Sequence, residues 1–238
     1  MFLIADISGY TKFMRAHAMN VSHAKQVVVR LIRALINEAK PPLNVAELEG
    51  DAVFFYASGE DHERIADEVK RQIPRLFGAF RTELDALVAD NMCDCDACMA
   101  AGDLMLKQVV HQGEAQVEQI GRFEKLFGLD VILVHRLLKN SVPGNEYVLM
   151  TTSAYEVFHD FFGVEAEPGE EDVEGIGEVG TMLVYREPLE QTIRDSMAQL
   201  PIQPTEQKRR WYWKLVASTL LDMARIRAIK GTFRNIPA

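Results

Sequence analysis

Positive charge, cysteine and long apolar runs are all scarce in this chain, and each scarcity excludes something. Lys and Arg number 26 against 35 Asp and Glu, a net charge of −9 over 238 residues. Proteins that track phosphate backbones carry the opposite excess, so a general nucleic-acid binder is excluded. No apolar stretch approaches the ~20 residues that a membrane span needs. The short apolar start lacks the basic lead and cleavage site of a secretory signal. The three cysteines fall together in one short segment, and reduced thiols in a bacterial-type cytosol are the expectation. What is present is ordinarily globular: 48% hydrophobic and 26% charged residues, enough for one substantial domain or one domain with an appendage.

The periodicities predict an α+β fold. Phe2–Ala5 reads as a buried first strand, ended by Asp6 and a Ser8-Gly9-Tyr10-Thr11 turn into a helix. Asn20 or Ser22 caps a helix running to about Ala39, with Val28, Leu31, Ile32, Leu35 and Ile36 as its stripe, stopped by Pro41 and Pro42. NVAELEG (44–50) and AVFFYA (52–57) form a hairpin about Gly50-Asp51. A helical pattern covers 61–88, where Pro74 and Gly78 predict a kink or break. Strands at 104–110 and 114–120 read as a second hairpin, followed by a helix over 129–139. Strands at 146–150 and 181–187 flank a helix near 152–160, and EAEPGEEDVEGIGE (165–178) reads as an exposed acidic loop. The expected architecture is a mainly antiparallel sheet with helices on one face, and a helical extension beyond it.

Two acids stand where core strands meet turns. Asp6 ends the first strand and Asp51 sits on the first hairpin turn. If those strands are neighbours, both carboxylates share one sheet edge and can hold a divalent cation through oxygen ligands. Backbone N–H groups of the Gly9-Tyr10-Thr11 turn are then offered to phosphate, with Gly9 permitting close approach. Taken singly, Asp6 also reads as a helix cap and Asp51 as a turn former.

These residues resemble the class III nucleotidyl cyclases. FLIADISGYTKFM resembles that family's first metal motif, and ELEGDAVFFYA (47–57) its second. LMLKQVVHQGE (104–114) is similar to the family's Gly-Ile-His-x-Gly-Glu strand, with His111, Gly113 and Glu114 aligned. FGLDVILVHRL (127–137) is similar to its Phe-Gly-x-x-Val-Asn-x-Ala-x-Arg-Leu helix, and TMLVYRE resembles its closing strand. The resemblance implies a ferredoxin-like cyclase domain over 1–187 and a helical extension over 188–238. It also implies a head-to-tail homodimer that takes a nucleoside triphosphate. Two Mg2+ or Mn2+ ions would sit on Asp6 and Asp51, with the Ile7 carbonyl, and the ribose 3′-hydroxyl would attack the α-phosphate and expel pyrophosphate.

The chain also departs from that pattern. Arg136 falls on the transition-state Arg position, but four residues earlier the family's ribose-binding Asn is Ile132. Glu47 and Lys125 occupy the purine-reading positions. Their charges are exchanged relative to adenylyl enzymes, and Lys125 does not match guanylyl ones. They read either as base-binding residues or as an ion pair that fills the base pocket. The resemblance implies a divergent offshoot of the family. That offshoot is either a cyclase or a catalytically impaired dimer acting as a nucleotide-binding or metal- or thiol-responsive regulator.

Two further features lie outside the family pattern. Cys93, Cys95 and Cys98 form a C-x-C-x-x-C cluster, read either as a Zn2+ site lacking its fourth ligand or as three free thiols. From Glu206 onward eight basic residues face two acids, a net of +6, which leaves −15 on residues 1–205. Trp213, Val216, Leu220 and Met223 give this basic tail a helical stripe. It suits docking on the acidic domain, in cis or across a dimer, more than contact with an anionic membrane.

Overall fold

The computed structural model describes residues 1–16, 21–89 and 100–198. Strand β1 (Phe2–Ser8) leads through α1 (Tyr10–Ala16) and α2 (Val21–Glu38) to the hairpin of β2 (Asn44–Glu49) and β3 (Ala52–Tyr56). Helix α3 (His62–Ala89) returns the chain to β4 (Met105–His111), after which come β5 (Gln116–Ile120) and β6 (Phe123–Phe127). Then follow α4 (Leu129–Arg136), β7 (Tyr147–Thr151), α5 (Thr152–Phe158), β8 (Glu167–Val173), β9 (Gly177–Tyr185) and α6 (Glu190–Met197). Seven strands form one sheet in the order β2-β3-β1-β4-β7-β9-β8, while β5 and β6 pair only with each other. Every pairing is antiparallel except β4 with β7. The expected mainly antiparallel α+β fold is what the chain adopts.

β1 lies at the centre and is buried on both faces, which is why it reads as an unbroken apolar run. Its odd positions, Leu3, Ala5 and Ile7, face the helical layer of α2, α3 and α5, together with Val53, Phe55, Leu106 and Val110. In that layer Leu31, Leu35, Ile73, Leu76, Phe77, Phe80 and Phe158 are fully or nearly fully enclosed. Truncating one of these phenylalanines to Ala is expected to cost about 3–5 kcal/mol. The even positions Phe2 and Ile4 face the other way, with Phe54, Val109 and Leu149. There α4 lies across the sheet through Val131, Val134 and Leu137.

Three local expectations are corrected. β4 does not form a hairpin with β5, because both its edges are taken, by β1 and by β7. β5 pairs instead with β6 about Gly121-Arg122, a strand the sequence reading missed. The acidic segment 165–178 is exposed, but it is a ladder rather than a loop, pairing as β8 with β9. Pro168 and the charges of β8 are tolerated because it is an edge strand. Finally, the break expected in α3 is absent, since it is one continuous helix with Pro74 inside it. Core contacts along its length (Ile65, Val69, Ile73, Phe77, Phe80, Leu84) outweigh the local cost of the proline. Gly78 is there for close approach: a Cβ at that position would lie 2.6 Å from Met197 Cγ of α6.

The first part of the predicted helical extension is α6, whose Ile193, with Leu189 just before it, joins the core beneath α3. Among the described residues no helix is long and apolar enough to cross a membrane. Cys93, Cys95 and Cys98, and the basic tail from Glu206, lie outside the described residues.

Candidate functional site

Alternation along β1 decides where Asp6 lies. It follows Phe2 and Ile4 onto the face that α4 covers. Its neighbours across the ladders are Ala52 of β3 and Lys107 of β4. The β2–β3 turn needs the positive φ of Gly50, +65°, and delivers Asp51 immediately before Ala52. The Ile7 N–H donates to the Asp51 carbonyl at 3.2 Å, which fixes the turn against the end of β1. Both acids therefore stand at one sheet edge, as their sequence positions suggested.

The electrostatics of that edge is strained in one direction. The Asp51 carboxyl is pushed up to about 6, first by burial and then by the negative charge of Asp6. A bond from its own backbone N–H and the nearby Lys107 charge oppose the shift. A carboxyl whose ionisation is disfavoured by burial and by a neighbouring carboxylate is what a divalent cation relieves. Carboxylate oxygens are hard donors of the type that suits Mg2+ or Mn2+. Among the described residues no third acid, His or Cys gathers with them.

Two residues here escaped the sequence reading. Lys107 places its ammonium 3.1 Å from Asp6 Oδ2, and the same ammonium donates to the Leu138 carbonyl at 3.0 Å, just past α4. Tyr147 of β7 feels the Asp6 charge; burial chiefly raises its phenol, which donates to Asn140 Oδ1 at 2.9 Å. A lysine at an inward position of a largely buried strand was the available signal for the first. Nothing in the local sequence marked the second.

Beside these acids the turn into α1 is tight: Gly9 has φ +87°, and its carbonyl accepts from the Phe13 N–H at 2.9 Å. Tyr10 is partly buried against the core and Thr11 is exposed.

The expected base-binding residues share one pocket of about 240 Å3, lined by Glu47, Glu49, Phe54, Lys125, Ile132 and His135 among others. A bulge at Ala46 re-aims β2 just before Glu47. Lys125 of β6 donates to the Glu47 carboxylate, so the exchanged charges do pair. Ile132 stands on the same wall, 48% exposed, with no polar atom to offer. His135 is partly buried: it packs edge-on to Phe54 at 4.6 Å, and Glu49 approaches its Nδ1 at 3.2 Å. Arg136, one turn beyond Ile132, is exposed, and among the described residues its ion-pair partner is the outlying Glu174, at 3.9 Å.

The entry to α4 is pinned separately. His111 is buried, and burial lowers its pKa. Its Nδ1 is 2.9 Å from Thr151 Oγ1, and its Nε2 is 3.2 Å from Asp130 Oδ1, off the line of a good hydrogen bond. Asp130 accepts from the Glu114 N–H at 2.7 Å. Gly113 leaves room for this: a Cβ there would lie 2.4 Å from the Asp130 carboxyl carbon. His111 is thus a sheet histidine that ties β4 to α4 and α5.

The family described as "protein of unknown function (DUF2652)" matches residues 28–147. An uncharacterised protein of Mycobacterium tuberculosis is 37% identical over 154 residues, covering 65% of this chain and 71% of its own length. Among solved structures, the adenylyl cyclase CyaB of P. aeruginosa superposes with TM-score 0.54 at 14% identity, over 77% of this chain and 92% of its own. The guanylyl cyclase Cya2 gives 0.56 at 14% identity, over 79% and 92%. A class III adenylyl cyclase-like ATP-binding protein from Pseudomonas aeruginosa gives 0.52 at 18% identity, over 66% of this chain and 34% of its own. At 14–18% identity, the solved structures show a shared fold.

Proposed function

Because the chain belongs to the DUF2652 family and has the class III nucleotidyl cyclase fold, we infer that it is a cyclase-homology protein that binds a nucleoside triphosphate and cyclises it poorly. In this reading residues 1–187 are the cyclase-homology unit. Asp6, Asp51 and the Ile7 carbonyl hold Mg2+ or Mn2+, which supplies positive charge to the polyphosphate. The Gly9-Tyr10-Thr11 turn lies next to Asp6 and borders the polyphosphate, while the opposite subunit supplies Glu47 and Lys125 to face the base, Ile132 at the ribose position, and Arg136.

The observation that carries weak turnover is the pocket wall. Ile132 offers no amide to a ribose, and Glu47 is already engaged by Lys125. A transition-state contact absent from this position costs about 10- to 1,000-fold in rate. A binding role on this fold has a parallel in the cyclase-like protein described as ATP-binding. The pairing of two chains is supported by the exposed apolar side chains Ile120, Phe123 and Phe127, which share one face of the β5–β6 hairpin, together with exposed Leu129 and Ile132 of α4. An apolar surface of that kind on a globular domain marks a contact site.

The test uses the purified full chain with each nucleoside triphosphate and Mn2+. Equilibrium binding should be micromolar and lost in Asp6→Asn and Asp51→Asn. Cyclic nucleotide and pyrophosphate should form at well under the ~10 s−1 of a typical enzyme. Light scattering should report a dimer, and Phe123→Glu should make it a monomer. Absent nucleotide binding overturns the reading, and brisk turnover overturns its catalytic half.

A further inference from the structure

We propose that Lys107 is a built-in rival for the divalent cation: its ammonium holds the cation position beside Asp6, and a metal ion must displace it to bind. The proposal rests on the inferred metal and nucleotide site and concerns how that site is controlled.

Placement comes from the sheet. Lys107 is directly opposite Asp6 in the antiparallel β1–β4 ladder, so the two side chains leave the same face side by side. Two residues along, Val109 shares the α4-facing core with Ile4, confirming the face on which Lys107 emerges. Its ammonium lies 3.1 Å from Asp6 Oδ2, and both side chains are largely buried, 18% and 16% exposed. This is not a surface lysine free to swing into water. A second donor is fixed on the Leu138 carbonyl at 3.0 Å. The charge also reaches Asp51, whose carboxyl it pulls downward against burial and Asp6.

Charge counting gives the consequence. Asp6 and Asp51 together offer −2, and Lys107 returns +1. A divalent ion in its place would balance the pair, whereas a divalent ion added beside it would overcharge it. At a few ångströms in a half-buried site, the repulsion between ammonium and divalent metal is large enough to decide occupancy. Lys107 must therefore leave Asp6 when metal arrives. Leaving also frees Leu138, which lies two residues past the helix that carries Ile132 and Arg136. Metal entry at one edge is thus linked to the end of α4 through a single side chain.

Mn2+ itself, without nucleotide, is the probe. Its binding should be followed by calorimetry on the full-length wild type, Lys107→Gln and Lys107→Met. Either substitution should tighten Mn2+ binding by about 10- to 100-fold, and adding Asp6→Asn should abolish the gain. In the wild type, Mn2+ should speed hydrogen exchange of the amides at 138–141, a readout that stands even if both variants fail to fold. Equal, Asp6-dependent affinities in wild type and folded variants would overturn the Lys107 proposal while leaving the nucleotide reading intact. Tighter Mn2+ binding without any nucleotide binding would support it and sink that reading. No Mn2+ binding in any of the three proteins, with unchanged exchange, would overturn both.

Discussion

The Lys125 ammonium and the Glu47 carboxylate meet across one pocket, and in doing so tie the detached β5–β6 hairpin to edge strand β2. Both side chains are nearly half exposed, so the pair should couple by only about 0.2–1 kcal/mol in a double-mutant cycle. Exchanging them, as Glu47→Lys with Lys125→Glu, should keep melting within about 0.5 kcal/mol of wild type. The exchange should also move nucleotide preference toward adenine. A melting loss larger than that of either single variant would show that the hairpin depends on the native orientation.

Ile132→Asn tests the missing ribose partner. The side chain is exposed, so the substitution should alter stability by less than about 0.5 kcal/mol. Cyclic nucleotide formation should rise about 10- to 1,000-fold. Unchanged turnover in a folded variant that still binds nucleotide would mean that another residue limits the reaction.

Asp51 gives a pH signature in metal-free protein. Its folded pKa, about 6, lies above the ordinary 3.8, so the native state holds a proton that the unfolded chain has released. Stability should fall as pH rises from about 4 to 6, and stay lowered above that. The full displacement corresponds to roughly 3 kcal/mol, and solvent screening at a half-exposed group reduces this to about 1 kcal/mol. Urea denaturation should therefore find Asp51→Asn about 1 kcal/mol more stable than wild type at pH 7.5, relative to their difference at pH 4. His111 titrates in both proteins and cancels from the comparison. A difference that shrinks toward pH 7.5 would contradict the shift.

Gly113→Ala should dislodge Asp130 and with it the entry to α4. The added methyl overlaps the carboxyl, which must give up the Glu114 N–H and its place beside His111. A loss of about 2 kcal/mol is expected. In an Asp130→Ala background the obstacle is gone, so the same substitution should cost far less. An equal loss in both backgrounds would place the strain elsewhere.

Strands with both faces buried, or turns with a fixed chemistry, were legible from the sequence. Phe2–Ile7 and the Gly50-Asp51 turn are of this kind, and they brought Asp6 and Asp51 to one edge. Pairing partners were less legible. The alternation at 114–120 marked a strand correctly, but the choice between β4 and β6 as its partner depends on β7, which arrives later in the chain. β8 was hidden because Pro168 and a run of acids contradict strand propensity, and only an edge position permits them. Lys107 was missed for a related reason: its significance lies across the ladder, opposite Asp6, and not in its own neighbourhood.

The two faces of the central sheet answer to different demands. Asp6 and Lys107 emerge beneath α4, while Leu3, Ala5 and Ile7 of the same strand are sealed under α2 and α3. Repacking under α2 and α3 can therefore raise melting temperature while the chemistry stays where it is. The face under α4 has no such freedom, since any gain in rigidity there is also a change in how metal and nucleotide are received.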